Sequence, residues 1–291
     1  KIAFVFPGSG NHYPDMAREL LACWPAVLRQ QDTENLKLKN QFQPDLFWSD
    51  TPLEYLNDNH RAVIFGQVAV GCAVSDLVRS FGVSPAALIG YSLGESAVLF
   101  SSRTWHERDL MYQRMQESTL FTHDLAGECR SARIAWGLAD DKPVSWSLGV
   151  VMAPAELVRQ QINTLSQVYL LIINTPDECV IGGDSKQLTR LVRQLNAHFI
   201  PLYGVTTVHC EVAQPVARPY HDLHLFETNP PADVTFYSGA KADRFEPTRE
   251  SCAAAILDQA LHGIDYPATI EAAYRDGVRL FLEMGPGNSC S

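Results

Sequence analysis

Positive charge is scarce in this sequence: 23 Lys and Arg stand against 33 Asp and Glu, a formal net charge of −10. A nucleic-acid partner requires a clustered basic surface that displaces counterions from phosphate, and none is visible, which argues against nucleic acid. Any anionic substrate has to be met by a local cation. The chain also lacks an uninterrupted apolar run of about 18 residues, so no membrane span is expected, and Lys1-Ile2-Ala3-Phe4-Val5-Phe6 reads as a core strand rather than a signal peptide. Cysteines at 23, 72, 129, 179, 210, 252 and 290 form no Cys-x-x-Cys pair and no metal-ligand spacing. The expectation is therefore structural thiols in a reducing cytoplasm, with no disulfide framework and no zinc. An initiator Met is missing as well, and the chain stops just after Gly285-Pro286-Gly287, which suggests a piece of a longer polypeptide.

What is present is an alternation of strands and helices. With 291 residues and 46% hydrophobic content, the chain can bury one large core and a smaller second lobe. The patterning predicts a strand at 3–6, a helix at 16–23, irregular structure with short helical pieces over 30–59, and a buried helix at 63–81. A strand at 87–90 and a helix at 105–121, with Thr104 as its N-cap, come next. Over 129–198 the rhythm becomes β-α-β-β-α before a return strand, with strands at 144–152, 168–174 and 178–181 and helices at 154–165 and 185–198. The predicted architecture is α/β. A large lobe (1–128 and 199–291) carries a mainly parallel sheet covered by helices, hydrolase-like, and 129–198 forms an inserted, smaller ferredoxin-like α+β lobe. Functional groups of such a sheet gather at the carboxyl ends of its strands.

The chemistry centres on Gly90-Tyr91-Ser92-Leu93-Gly94, placed between the apolar strand ending at Ile89 and the helix-like stretch from Glu95. A serine on a tight strand-to-helix turn is pushed outward, with a helix N-terminus behind it that favours an oxyanion, so Ser92 is the candidate nucleophile. The bland reading is a helix-capping serine. A hydroxyl needs a base within hydrogen-bond reach, and His209, at the end of an extended segment from Leu202, is the best candidate among nine histidines. His221 and His224, three apart, read as a solvated helix face rather than a metal pair, since no third ligand is near in sequence. A second glycine-rich turn, Pro7-Gly8-Ser9-Gly10, follows the first strand, and its amides can supplement the one after the nucleophile, giving two oxyanion donors at Ser9 and Leu93.

Four ordered motifs, Phe6-Pro7-Gly8-x-Gly10, Gly90-Tyr91-Ser92-Leu93-Gly94-Glu95, His209-Cys210 and Glu283-Met284-Gly285-Pro286-Gly287, resemble the acyltransferase family typified by malonyl-CoA:acyl carrier protein transacylase. The likeness covers essentially the whole chain, and is nearest to an acyltransferase domain of a polyketide or polyunsaturated fatty acid synthase. It implies a ping-pong transfer in which Ser92 becomes acylated by an acyl-CoA, with malonyl the expected acyl group, His209 removes its proton, and the phosphopantetheine thiol of an acyl carrier protein collects the acyl group. Gln259 is implied to orient the imidazole through its carbonyl oxygen, and Arg114 to pair with the free malonyl carboxylate; Gln116 or Glu117 takes that place in a neighbouring register. No bound cofactor is implied, and neighbouring synthase domains are implied partners. Tyr91 stands where the family usually has histidine, Ser9 replaces glutamine, and Asn11-His12 replaces Ser-Gln. Substrate contact is assigned to Tyr91 beside Arg114. Carrier proteins are usually acidic, so docking calls for a local basic patch drawn from Lys186, Arg190, Arg193 and Arg218. Two rival readings stay open: a serine hydrolase or thioesterase built on the same pair, and a catalytically silent scaffold domain.

Overall fold

The computed structural model describes residues 1–290. Its first strand, β1 (Ile2–Phe6), is buried along almost its whole length and is followed by short helices, α1 (Arg18–Cys23), α2 (Pro25–Glu34), α3 (Leu38–Phe42), α4 (Pro44–Phe47) and α5 (Leu53–Asp58). Pro25 and Pro44 sit in the first turns of α2 and α4, where a missing amide proton breaks no helical bond. Asn59 then caps α6 (His60–Ser80), its side chain accepting from the Ala62 amide. By length and composition alone α6 could cross a bilayer, yet its most apolar window is 83% buried inside the protein. It leads to β2 (Ala87–Gly90) and α7 (Gly94–Ser101).

One helix differs from expectation. The helix predicted over 105–121 with Thr104 as cap is α8 (Arg108–Glu117), with Glu107 at its cap position and a π-helical turn at Leu120–Asp124 beyond it. Trp105 is the reason: 1% exposed, it lies edge-on to Phe100 and against Phe226 and His224, so its burial takes the chain out of helical register before α8 starts. The Thr104 hydroxyl is shared with the Ser102 hydroxyl instead of an amide of the helix.

After α9 (Arg130–Ala135), the chain builds the smaller sheet from β3 (Trp146–Val151), α10 (Ala155–Ile162), β4 (Val168–Thr175), β5 (Glu178–Asp184), α11 (Ser185–Leu195) and β6 (Phe199–Pro201). The order β6-β3-β5-β4, with antiparallel pairing, is the ferredoxin-like arrangement, and β9 (Ile264–Asp265) joins its outer edge parallel to β4. Residue 199, where the large lobe was expected to resume, is thus the first residue of a strand bonded to β3. At the other end, Cys129 and Ala132 of the α9 region pack with Cys210 and Val212 rather than with the small lobe's helices.

Past α12 (Ala217–Leu223), the chain returns to the large sheet with β7 (Thr235–Ser238) and β8 (Asp243–Phe245), then α13 (Arg249–His262), α14 (Tyr266–Arg275) and β10 (Leu280–Glu283). The large sheet runs β10-β1-β2-β7-β8, parallel except for β8. Its decisive register is Phe6 opposite Gly90. Two adjacent parallel strands end side by side, so the two glycine-rich turns leave the sheet at one place.

Candidate active site

The elbow after β2 is fixed by steric exclusion. A Cβ on Gly94 would collide with the Phe6 carbonyl, and one on Gly90 with the Glu95 backbone. With glycine at both, β2 passes into α7 in the shortest turn, and Ser92 is held at φ 55, a left-handed conformation that costs a non-glycine residue of order 1–3 kcal/mol. His209 is likewise held at φ 70. Its amide donates to the Ala260 carbonyl at 2.7 Å, and its Nδ1 lies 2.8 Å from the Gln259 carbonyl at the last turn of α13. A carbonyl only accepts, so Nδ1 carries the proton and Nε2 presents a lone pair. Nε2 lies 2.7 Å from Ser92 Oγ, where the hydroxyl donates to it. Burial disfavours the imidazolium and pushes the His209 pKa down from 6.5 to about 4, against the opposing pull of the Gln259 carbonyl. At neutral pH the ring is a free base.

The other predicted residues fall into place unevenly. Ser9 and Leu93 line the same cavity as Ser92 and His209. Among the described residues neither of their amides meets an acceptor, leaving both available to an oxyanion. Gln259 contributes twice, since its side-chain Nε2 also donates to the Ser92 carbonyl at 3.1 Å. Tyr91 donates its hydroxyl to Asn174 Oδ1 of β4 at 2.7 Å and packs edge-on against Tyr266, so it ties the elbow to the small sheet. Arg114 is a correction. Its guanidinium donates to the Leu223 and Leu225 carbonyls at 3.2 and 2.9 Å and lies 4.3 Å from the centre of the Phe226 ring, outside the lining of the Ser92 cavity. The unsatisfied carbonyls at the end of α12 hold it there. Gln116 and Glu117 are exposed. His224 is the second correction: rather than sharing a solvated face with His221, it is 5% exposed, stacked on Trp105, with Nδ1 2.7 Å from the Tyr220 carbonyl. Among the described residues no group of three His, Cys, Asp or Glu side chains could hold a metal.

Some positioning groups escaped the sequence. The Asn11 amide donates to Gln67 Oε1 at 2.8 Å, and Asn11 Nδ2 donates to the Gly8 carbonyl and to Ser289 Oγ, which pins the Ser9 turn to α6 and to the chain's end. The signal was a lone glutamine in an otherwise apolar stretch of α6. Glu95 accepts the Gly239 amide at 2.6 Å, and burial raises its carboxyl to about 8.

Two spaces meet at Ser92. One runs inward, between Phe65 and Val68 of α6, Phe100 of α7, Met111 and Met115 of α8 and Ile256 of α13. The other opens outward as a cleft against the small sheet, past Leu148, Val150, Asn174 and Glu178 to Asn11 and Ser289. A half-buried serine and a buried imidazole between an apolar cavity and an open cleft can take an acyl group from one ester and pass it to another acceptor.

No protein-family model matches the chain. It is 25% identical over its full length to the malonyl CoA-acyl carrier protein transacylase of Bacillus subtilis, of which it spans 88%. Over 99% of its length it is 22% identical to a polyunsaturated fatty acid synthase polypeptide of a Thraustochytrium species, although it spans only 15% of that protein. Over its whole length the chain is similar to members of this acyltransferase family. In keeping with it, the acyl carrier protein S-malonyltransferase of Vibrio cholerae superposes with a TM-score of 0.72 at 22% identity, over 99% of this chain and 90% of that one. The acyl transferase domain of SpnD superposes at 0.76 and 20% identity, over 100% and 66%. Both share the acyltransferase fold.

Proposed function

We propose that this chain carries an acyl group from a CoA thioester to the phosphopantetheine thiol of an acyl carrier protein, through an ester on Ser92. The observation that carries the reading is the 2.7 Å contact between Ser92 Oγ and an imidazole whose other nitrogen is committed to the Gln259 carbonyl. His209 Nε2 accepts the hydroxyl proton as Oγ attacks the thioester carbonyl, and the amides of Ser9 and Leu93 receive the oxyanion. When the C–S bond breaks, the same Nε2–H returns its proton to the departing thiolate. The second half reverses these steps: Nε2 deprotonates the incoming pantetheine thiol, which attacks the ester carbonyl and releases Ser92. A backbone carbonyl, rather than a carboxylate, orients the base, so a Ser-His pair suffices without an aspartate.

The outer cleft supports the thiol's route, because its walls are largely apolar with the Asn11 and Asn174 amides among them, matching the uncharged amide arm of phosphopantetheine, and the Glu178 carboxylate there accepts from Asn174. On α11, Lys186, Arg190 and Arg193 are all exposed, the second and third falling four and seven residues after the first, and they share a face suited to an acidic carrier protein. Arg218 lies on α12, near Asp222. The small lobe is proposed as the unit expected at 129–198, extended through β6 (Phe199–Pro201), with the remainder of 1–128 and 199–291 as the large lobe. Malonyl is the acyl group in the names of the Bacillus and Vibrio proteins and the first donor to test. Intact-protein mass spectrometry is the experiment: acyl-Ser92 forms with acyl-CoA, persists, and is discharged by holo carrier protein, whereas Ser92→Ala acquires no acyl group. Discharge into water at the same rate without carrier protein identifies a hydrolase instead.

A further inference from the structure

Resting on the acyl-serine reading, we infer that the inner cavity selects a short uncharged acyl chain, held by Phe65, Val68, Phe100, Met111 and Met115, in preference to malonyl. A malonyl ester on Ser92 carries a carboxylate two bonds beyond the ester carbonyl, and that charge must lie either in the inner cavity or in the cleft. Neither space offers a cation: among the described residues that line the two, there is no lysine and no arginine. The cleft instead presents the Glu178 side chain, whose charge opposes a second carboxylate. A desolvated carboxylate without a partner is strongly disfavoured, whereas methylenes gain from leaving water.

Two candidates for a cation, Arg114 and His224, are both committed elsewhere. Arg114 makes two bonds to the carbonyls after α12 and stacks on Phe226, so reaching the cavity means giving up all three contacts. His224 does line the cavity, but its Nδ1 proton is donated to the Tyr220 carbonyl, so the neutral ring has only a lone pair at Nε2. Burial and the neighbouring Arg114 charge keep it neutral at pH 7, with a pKa pushed down to about 4.

Size sets the chain length. The inner cavity holds about 60 Å³ of space, and a single water position takes roughly 10–15 Å³ on that measure. A butyryl or hexanoyl chain therefore fits with small movements. Met111 and Met115, four apart on α8, are unbranched side chains that can re-rotamerise to admit a longer one.

The test is the rate of Ser92 acylation by malonyl-, acetyl-, butyryl- and hexanoyl-CoA, followed by intact-protein mass spectrometry. Butyryl and hexanoyl loading faster than malonyl loading by about tenfold or more is the expected result. Malonyl loading as fast as or faster than butyryl loading overturns the inference while leaving the acyl-serine reading intact; loading by no donor sinks that reading instead. Met115→Trp narrows the cavity, and the expected change is a hexanoyl-to-acetyl ratio at least about tenfold lower. An unchanged ratio in a variant with native circular dichroism places the chain elsewhere. Arg114→Ala leaves the malonyl-to-butyryl ratio as it was, and a selective fall in malonyl loading restores Arg114 as the carboxylate's partner and overturns the inference.

Discussion

At Ser92 and His209, the state of one proton decides reactivity. The imidazole must be neutral to accept it, and burial holds its pKa near 4, so acylation falls only as pH drops through that value. The rate constant for Ser92 acylation is expected to stay level between about pH 5 and 8; a limb centred near the ordinary histidine value of about 6.5 refutes a base buried to this degree. His209→Ala lowers acylation by about 10²–10⁴-fold, measured in single turnover. The nucleophile and base were legible because each lies in a local pattern, an elbow and the end of an extended segment. Arg114 was not legible: nothing in Tyr112-Gln113-Arg114-Met115 reveals that the end of α12, more than a hundred residues away, offers two carbonyls to its guanidinium. His224 was misread for the same reason, since the Trp105 ring that covers it comes from a distant loop.

At the level of elements, the junction of β1, β2 and α7 is the feature most sensitive to a single methyl group. Gly94→Ala drives a Cβ into the Phe6 carbonyl, and the elbow can relieve that only by pulling α7 from the sheet. A stability loss of about 2 kcal/mol or more, read from urea unfolding, should accompany loss of acylation. Gly137→Ala, a positive-φ glycine with open space around its Cβ, should be far milder and keep acylation. On α11, Arg190→Glu and Arg193→Glu are expected to raise the KM for holo carrier protein several-fold with the acyl-CoA half-reaction unchanged; equal losses in both halves argue against docking there. Most elements followed from apolar periodicity. Among the departures, α8 and the π-helical turn after it arise where one buried indole overrides helical register.

For the molecule as a whole, buried titratable groups set a narrow optimum. His12, His209 and His224 are held neutral by burial, so below about pH 6.5 the unfolded chain binds protons that the folded chain refuses, and stability falls. Glu95 acts oppositely. Its proton is kept up to about pH 8 in the fold but is released above about 4.5 when unfolded, so stability also falls as pH rises through that window. Below pH 6.5 the imidazoles outnumber the single carboxyl; between 6.5 and 8 Glu95 acts by itself. The melting temperature should peak near pH 6.5, and Glu95→Gln, which still accepts the Gly239 amide, should flatten the alkaline side in thermal scans.

Chain alternation announced the two sheets, but not that β9, distant in sequence, would close the edge of the smaller one. That closure has a mechanical meaning. Gly263 is all that separates the end of α13, whose Gln259 carbonyl holds the imidazole and whose Ala260 carbonyl holds the His209 amide, from the strand stitched onto β4. Spreading the mouth of the cleft pulls on the strap that aligns the base, so admitting a bulky visitor and staying primed for reaction are opposed. A long, slender arm that reaches in from a partner left outside is the delivery such a strap permits.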